Sequence, residues 1–190
     1  MLKREALKNL STFALLFCVV VACKQSASSG NSTTLKSPDG KFQLTVPDGW
    51  TSGGPLESDE VIKAVNASSN MLVIVATESK ADLADGMTLE KYTDIGRNQL
   101  LSKGIATDAS MPESLTVNGS SARQYEAKIT KDNTKYIGLV TTVDAPERFY
   151  RVNAVAPPSK YDENKATLKQ VSESFRAVPS GSDSNKSSSP

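Results

Sequence analysis

The stretch that decides the fold runs from residue 115 to residue 156 and reads LTVNGSSARQYEAKITKDNTKYIGLVTTVDAPERFYRVNAVA. Asn118-Gly119 tolerates the positive φ angles of a type I′ turn, so this pair predicts a hairpin. The tripeptide KDN at 131–133 and the pair Pro146-Glu147 predict two further turns. Four strands are therefore expected, and the last three form an antiparallel meander.

Upstream of this stretch, three strands are predicted before a helix. Residues 42–46 alternate apolar and polar side chains, which is typical of a half-buried strand. A second strand is predicted at 61–66, and the apolar run MLVIVATE from Met71 predicts a central strand covered on both faces. Thr88 and Gly104 are suitable ends for the helix. Its apolar stripe comprises Leu89, Tyr92, Ile95 or Gly96, and Leu100.

Downstream, Pro157-Pro158 ends the sheet and a second helix follows. Ser159 and Asp162 have the character of helix starts. The apolar residues at helical spacing are Tyr161, Leu168, Val171 and Phe175. Phe175 is expected to dock on the sheet. The order of elements predicts an α+β fold, in which an antiparallel β-sheet is flanked by helices.

Composition excludes several classes of function for this chain of 190 residues. Histidine is absent from the sequence, which excludes Ser-His-Asp and Cys-His catalysis and zinc sites with imidazole ligands. The two cysteines, Cys18 and Cys23, lie before the folded part, which therefore has no internal disulfide and no thiolate nucleophile. A net charge of +1 offers no global attraction to nucleic acid.

The first 22 residues have the parts of a secretory signal peptide. Three basic residues precede an apolar run of eleven residues at 12–22. A helix of that length rises about 16 Å, roughly half the hydrocarbon thickness, which is too short for a permanent span. The end of the run, Val20-Val21-Ala22-Cys23, resembles a bacterial lipobox. This resemblance implies cleavage before Cys23 and diacylation of its sulfur, which would anchor the protein in a membrane.

The predicted organisation has four parts. Residues 1–22 are the lipoprotein signal peptide, 23–37 a lipidated flexible tether, 38–178 the domain, and 179–190 a disordered Ser-rich tail. Lys24 follows the lipidated cysteine, which by analogy with Gram-negative sorting favours export to an outer membrane. The expected location is the extracytoplasmic face of a membrane: the periplasmic side of an outer membrane, a cell surface, or a thylakoid lumen.

Residues 38–178 resemble the PsbP-like family, which includes PsbP proteins of photosystem II and related bacterial lipoproteins. The segments that carry the resemblance are FQLTVPDGW, MLVIVATE before TLEKYTDIGRNQLL, VNGSSARQYEAKI, and RFYRVNAVAPPSKYDENKATLKQVSESFR. The resemblance implies an α/β/α sandwich around an antiparallel sheet, with no enzymatic activity and no cofactor.

The resemblance also implies a function in binding. Family members bind proteins at membranes, and the plant proteins assist calcium and chloride retention at the oxygen-evolving complex. The sequence has no histidine, so the histidine metal contacts of the plant proteins do not carry over. The resulting hypothesis is a membrane-anchored lipoprotein whose domain binds a protein partner or assists a membrane complex, photosystem-related complexes included. The alternative is a lipoprotein that binds a small ligand or a metal such as calcium or manganese.

Two groups of residues are candidates for binding. The candidate partner surface on the meander comprises Arg123, Tyr125, Tyr136, Tyr150 and Arg151, with Phe149 beside them. Aromatic and arginine side chains are enriched at interfaces, although core packing and cross-strand pairing also explain them. The acidic residues Asp82, Asp85 and Glu90 suggest a calcium-binding loop of the EF-hand type. In that register, however, Ala81 and Leu83 would occupy positions that require oxygen ligands. A solvated loop before a helix is therefore expected there, and no metal site is predicted.

We predict that Cys23→Ala prevents acylation and leaves the chain as a precursor that retains residues 1–22. The reason is that the thiolate of Cys23 is the acceptor of the diacylglyceryl group and its modification precedes cleavage. Mass spectrometry of membrane fractions measures both effects. Cys18→Ala is the matched control and should be processed normally. Normal processing of the Cys23→Ala chain would rule out the lipoprotein hypothesis.

Overall fold

A computed structural model of the chain describes residues 31–178. The helices are α1 (Leu89–Ser102) and α2 (Pro158–Glu173), with a short 3₁₀ helix at Lys80–Asp82. The strands are β1 (Ser32–Lys36), β2 (Phe42–Pro47), β3 (Thr51–Ser52), β4 (Glu60–Asn66), β5 (Met71–Ser79), β6 (Ala106–Ala109), β7 (Glu113–Val117), β8 (Ser120–Lys131), β9 (Thr134–Asp144), β10 (Arg148–Ala156) and β11 (Arg176–Ala177).

The strands form two antiparallel sheets. The main sheet has the order β3-β4-β5-β10-β9-β8-β6, and β7 pairs with β8 farther along the edge that β6 occupies. The small sheet has the order β1-β2-β11. Helices α1 and α2 pack against the main sheet, so the predicted α+β fold is confirmed.

One face of the main sheet carries most of the hydrophobic core. Helix α2 packs over β9 and β10, and β2 of the small sheet contacts both α2 and β4. Phe175 is buried here, with its ring centroid 5.0 Å from that of Tyr150 and 6.1 Å from that of Phe42. The docking of Phe175 on the sheet is thus confirmed, and its ring connects the small sheet to the main one.

Among the described helices, α1 packs on the opposite face and covers only part of it. Helix α1 packs over β6, β8 and β9, where Tyr125 and Val140 belong to a second, smaller core cluster. Its first turn reaches β10 through Tyr92, whose ring stacks on Phe149 at a centroid distance of 4.5 Å. The predicted helix stripe passes through Gly96, because Ile95 is 45% exposed. Both core clusters lie within residues 31–178.

The predicted hairpin turns are present. Asn118 and Gly119 have φ angles of 47° and 85°, while Asp132 and Asn133 have 49° and 60°. These left-handed conformations are those of type I′ turns. The side-chain amide nitrogen of Asn118, Nδ2, also donates hydrogen bonds to the carbonyls of Glu173 (3.0 Å) and Phe175 (2.8 Å). The first hairpin is therefore attached to the end of α2.

The structure corrects the predicted start of the domain. Residues 32–36, which the sequence assigned to the flexible tether, form β1 and pair with residues 43–47 of β2. The β-branched Thr33 and Thr34 favour an extended chain, and Leu35 packs against the core. This pairing satisfies backbone groups of β2 that would otherwise lie at a sheet edge.

Other differences are local. Helix α2 begins at Pro158, at the position where proline is tolerated, and not at Ser159 or Asp162. The short strands β3, β6 and β11 follow no sequence period long enough to predict them. Cys23, the signal peptide and the Ser-rich tail lie outside the described residues. No helix within 31–178 is long and apolar enough to cross a membrane.

We predict that Asn118→Gly lowers the free energy of unfolding by about 1 kcal/mol, because it removes two side-chain hydrogen bonds while keeping the positive φ. Asn133→Gly is the matched control, since Asn133 has a positive φ but no side-chain hydrogen bond within the described residues. Urea unfolding measures both variants. Equal stability of the two variants would contradict the proposed attachment of the hairpin to α2.

Candidate functional site

The face of the main sheet on which α1 packs presents three rows of side chains, and α1 covers only part of them. Register places the rows side by side across the strands. The first row contains Val65, Leu72, Val155, Gly138 and Ala127; the second contains Lys63, Ile74, Asn153, Val140 and Tyr125; the third contains Ala76, Arg151, Thr142 and Arg123. The apolar end of this face and its charged end are therefore joined by the row that contains Asn153.

The apolar end is a groove of about 480 Å³, here named the apolar groove. The half-buried apolar residues of its lining are Val65, Leu72, Ile74, Ile129, Tyr136 and Val155, and Ala67 and the buried Met71 complete the apolar lining. The turns at 67–70 and 131–134 contribute to the same lining. A cavity of this size is typical of small-molecule sites, which range from about 300 to 1,000 Å³.

Strand β5 explains why the groove is apolar. The sequence predicts a strand covered on both faces, but only the face with Met71, Val73 and Val75 is fully buried. Leu72 and Ile74 point to the other face, where α1 does not reach, and they remain half-buried. The prediction of two covered faces is therefore wrong for this strand: within residues 31–178, Leu72 and Ile74 are only half-buried.

Gly138 shapes the floor of the groove. A Cβ atom at this position would lie 2.8 Å from Ile129 Cδ1 and 3.3 Å from Val155 Cγ1. The first distance is a steric clash, so glycine allows these two side chains to meet above β9. The apolar surface of the groove thus continues from β8 to β10 without interruption.

The charged end is a cleft of about 240 Å³ between α1 and the sheet, here named the Arg151 cleft. Its polar lining consists of Gln99, Lys103, Tyr125, Arg151 and Asn153. Gly96 faces Arg151 from α1, and even a Cβ atom added there would stay 3.8 Å from Arg151 Nη1. Asn153 lines both the cleft and the apolar groove, so the two adjoin.

Arg151 differs from the other four arginines of the described residues. Arg97 donates to the carbonyls of Ala109 and Ser110, and Arg148 donates to Thr77 Oγ1. Arg176 donates to the Gln43 side chain when that amide presents its oxygen. Arg123 donates to the carbonyl of Pro112 and forms ion pairs with Glu90 and Asp94. Arg151 has no hydrogen bond and no ion pair within residues 31–178, so its donors are available to a ligand.

Two tyrosines flank Arg151. Burial raises the pKa of Tyr125 to about 12, and the positive charge of Arg151 opposes this rise. Burial and donation of a hydrogen bond to Glu78 (2.8 Å) raise the pKa of Tyr92 to about 12, again against the effect of Arg151. Both phenols are therefore neutral at physiological pH and act as hydrogen-bonding or packing groups, not as bases.

The structure separates the five residues of the expected partner surface. Tyr125 and Tyr150 are buried, at 3% and 5% exposure, and they lie on opposite faces of the sheet. Arg123 Nη1 is 3.3 Å from Glu90 Oε1, and Nη2 donates to the carbonyl of Pro112, so this side chain ties α1 to the sheet. Tyr136 lines the apolar groove and Arg151 its neighbouring cleft. The five residues thus form no single exposed surface.

Sequence reasoning missed one part of the site, and it named one acidic group that lies outside the site. The apolar groove was missed because Leu72 and Ile74 were assigned to a covered strand face. The acidic residues Asp82, Asp85 and Glu90 are dispersed over the 3₁₀ helix, a turn and the first turn of α1. Within residues 31–178, no three acidic side chains come together in an arrangement that could hold a metal ion.

The fold defines a class of α+β domain in which α2 and a small sheet pack on one face of an antiparallel sheet and α1 packs on part of the other. The family model described as PsbP matches residues 31–177, and the chain therefore belongs to the PsbP family. No curated protein matches the sequence.

Two solved structures share the fold. The solution structure of cyanobacterial PsbP (CyanoP) from Synechocystis sp. PCC 6803 is 14% identical with a TM-score of 0.58, and the match covers 80% of this chain and 96% of that one. The crystal structure of LpqN, involved in cell envelope biogenesis of Mycobacterium tuberculosis, is 17% identical with a TM-score of 0.56. This match covers 78% of this chain and 91% of LpqN. At these identities the similarity establishes the fold alone.

We predict that Tyr125→Phe reduces the loss of stability at high pH. A raised pKa in the folded state means that the contribution of Tyr125 is fully present below pH 10, the unfolded value, and is lost as the pH rises towards about 12. The wild-type protein should therefore lose roughly 2 kcal/mol more than the variant over this interval. Urea unfolding at pH 8 and pH 11.5 measures the difference. Parallel losses in both proteins would contradict the burial of this phenol.

Proposed function

We propose that this protein is a non-catalytic, extracytoplasmic lipoprotein that binds a small ligand in the apolar groove and the Arg151 cleft. Acyl chains on Cys23 hold it at a membrane. The observation that carries the proposal is the uneven covering of the main sheet. One face is closed by α2 and the small sheet, while the other has a concave apolar surface next to Arg151, which has no ion pair within residues 31–178.

The anchor is supported by the sequence before the domain. The short apolar run, the basic start and the position of Cys23 agree with a lipoprotein signal. Two or three acyl chains give stable membrane attachment, since one chain alone binds only marginally. Seven residues separate Cys23 from Asn31, so the domain would stand close to the membrane surface.

A non-catalytic role is supported by the chemistry of the open face. The polar groups of the Arg151 cleft are a guanidinium, an ammonium, two amides and the neutral phenol of Tyr125, none of which is a general base at physiological pH. The PsbP family consists in general of non-catalytic binding proteins. Together these features favour binding over turnover.

The geometry favours a small ligand over the protein partner that the family resemblance implies. A stable protein interface buries about 800 Å² of surface on each partner. The groove is instead concave, and turns contribute to its lining. A protein partner that inserts a narrow segment into the groove is the competing hypothesis, and the following experiment separates the two.

We predict that a photo-crosslinking amino acid at Leu72 or Val155 of the full chain captures a low-mass adduct in living cells. Lys160 and Lys169 are matched control positions, because both lie exposed on α2 at the opposite side of the sheet. Mass spectrometry of the purified protein measures the adduct. A protein-sized adduct at the groove positions alone would replace the small ligand with a protein partner. Identical results at groove and control positions would refute binding at this face.

A further inference from the structure

We infer that the ligand is a single-chain anionic amphiphile of the fatty-acid class, with its carboxylate at Arg151 and its alkyl chain in the apolar groove. The inference rests on the proposed function and adds the chemistry of the ligand. It joins two features of residues 31–178: an arginine that has no hydrogen bond or ion pair within this range, and half-buried apolar side chains on the part of the sheet where α1 does not pack.

Strand β10 aligns the two ends of the site. Arg151, Asn153 and Val155 alternate along this strand and therefore point to the same face. Four residues of an antiparallel strand span about 14 Å, which sets the distance between the cationic end and the apolar end. Asn153 lies between them and lines both cavities. An elongated ligand with one charged end fits this arrangement, whereas a compact polar ligand would leave the groove empty.

Charge complementarity determines the head group. A guanidinium offers a planar fork of donors that matches a carboxylate, and Lys103 adds a second positive charge to the cleft. Asp59 and Glu78 line a separate cavity on the other flank of Arg151. Neither forms an ion pair with Arg151, and Glu78 accepts the hydroxyl hydrogen of Tyr92. The side of Arg151 that faces Lys103 is thus free for an anion.

The apolar lining determines the rest of the ligand. Burial of each methylene group strengthens binding about fourfold, so even a short alkyl chain supplies most of the affinity. The two turns at 67–70 and 131–134 line the groove with polar side chains such as Asn70 and Asp132. A flat apolar surface suited to a second copy of the chain would lack these polar residues.

The experiment uses the non-acylated chain that begins at residue 24, which contains both core clusters, and its folding is checked by circular dichroism. Titration calorimetry compares decanoate, decyl maltoside and decyltrimethylammonium, each below its critical micelle concentration, with acetate as the anion that has no chain. We expect decanoate to bind at least about tenfold more tightly than the cationic compound, as a charge-assisted hydrogen bond implies. Acetate should show no measurable binding.

Variants test the role of each end. Arg151→Gln should abolish the preference for decanoate, and Arg151→Glu should reverse it in favour of decyltrimethylammonium. Lys169→Gln removes an exposed charge on α2 and should change nothing. Leu72→Gln should weaken binding of all three alkyl compounds by a similar factor. A reversal of head-group preference is a result that a purely structural role of Arg151 would not produce.

Each alternative result has a definite meaning. Equal affinity for the three alkyl compounds would overturn the anionic head group and leave the apolar groove as a binding site. No binding of any alkyl compound would overturn the inference, and a low-mass adduct in the photo-crosslinking experiment would then still support the proposed function with a ligand of another class. Acetate binding as tight as that of decanoate would reduce the site to an anion site. A dimer that Leu72→Gln dissociates would show that a second copy covers the groove, which overturns the inference as well. The wild-type comparison decides the question even if an Arg151 variant fails to fold.

Discussion

The contact on which the rest of the structure depends is the aromatic cluster of Phe42, Tyr150 and Phe175. The ring centroids of Phe42 and Tyr150 are 4.7 Å apart, and Phe175 lies within 6.1 Å of both. These rings come from the small sheet, the main sheet and the segment after α2. Their packing places α2 and the small sheet on the same face of the main sheet. Within residues 31–178, the other face is covered in part by α1, which contacts β6, β8 and β9.

This asymmetry assigns different roles to similar residues. Arg123 and Arg151 occupy the same row of the same face, yet only Arg123 lies beneath acidic residues of α1. Arg123 therefore fixes the helix to the sheet, whereas the donors of Arg151 remain open. Leu72 and Val73 are likewise neighbours in one strand, but only Val73 meets a covering element. The candidate site, which is the apolar groove and the Arg151 cleft, therefore lies where α1 does not pack tightly on the sheet.

Much of the fold could be predicted because its signals are local. The Asn118-Gly119 turn requires only two neighbouring residues that tolerate positive φ angles. The alternation of apolar and polar side chains that predicts β2 is visible in only five residues, 42–46. Strand β1 could not be predicted, because STTLK is polar and becomes a strand only through pairing with β2. The open face could not be predicted either. A continuous apolar run such as that of β5 is typical of a strand covered on both sides.

The sequence by itself determined the hairpins, the helices and the antiparallel sheet, because turn conformation and side-chain period are properties of neighbouring residues. It also determined the hypothesis of a lipid on Cys23, through the position of that residue after a short apolar run. Only the tertiary structure decided that Tyr125 and Tyr150 are buried on opposite faces, and that Arg151 lies beside an apolar groove with no ion pair within residues 31–178. The physical reason is that strand alternation sorts side chains into two faces, while elements distant in sequence determine which parts of each face are covered.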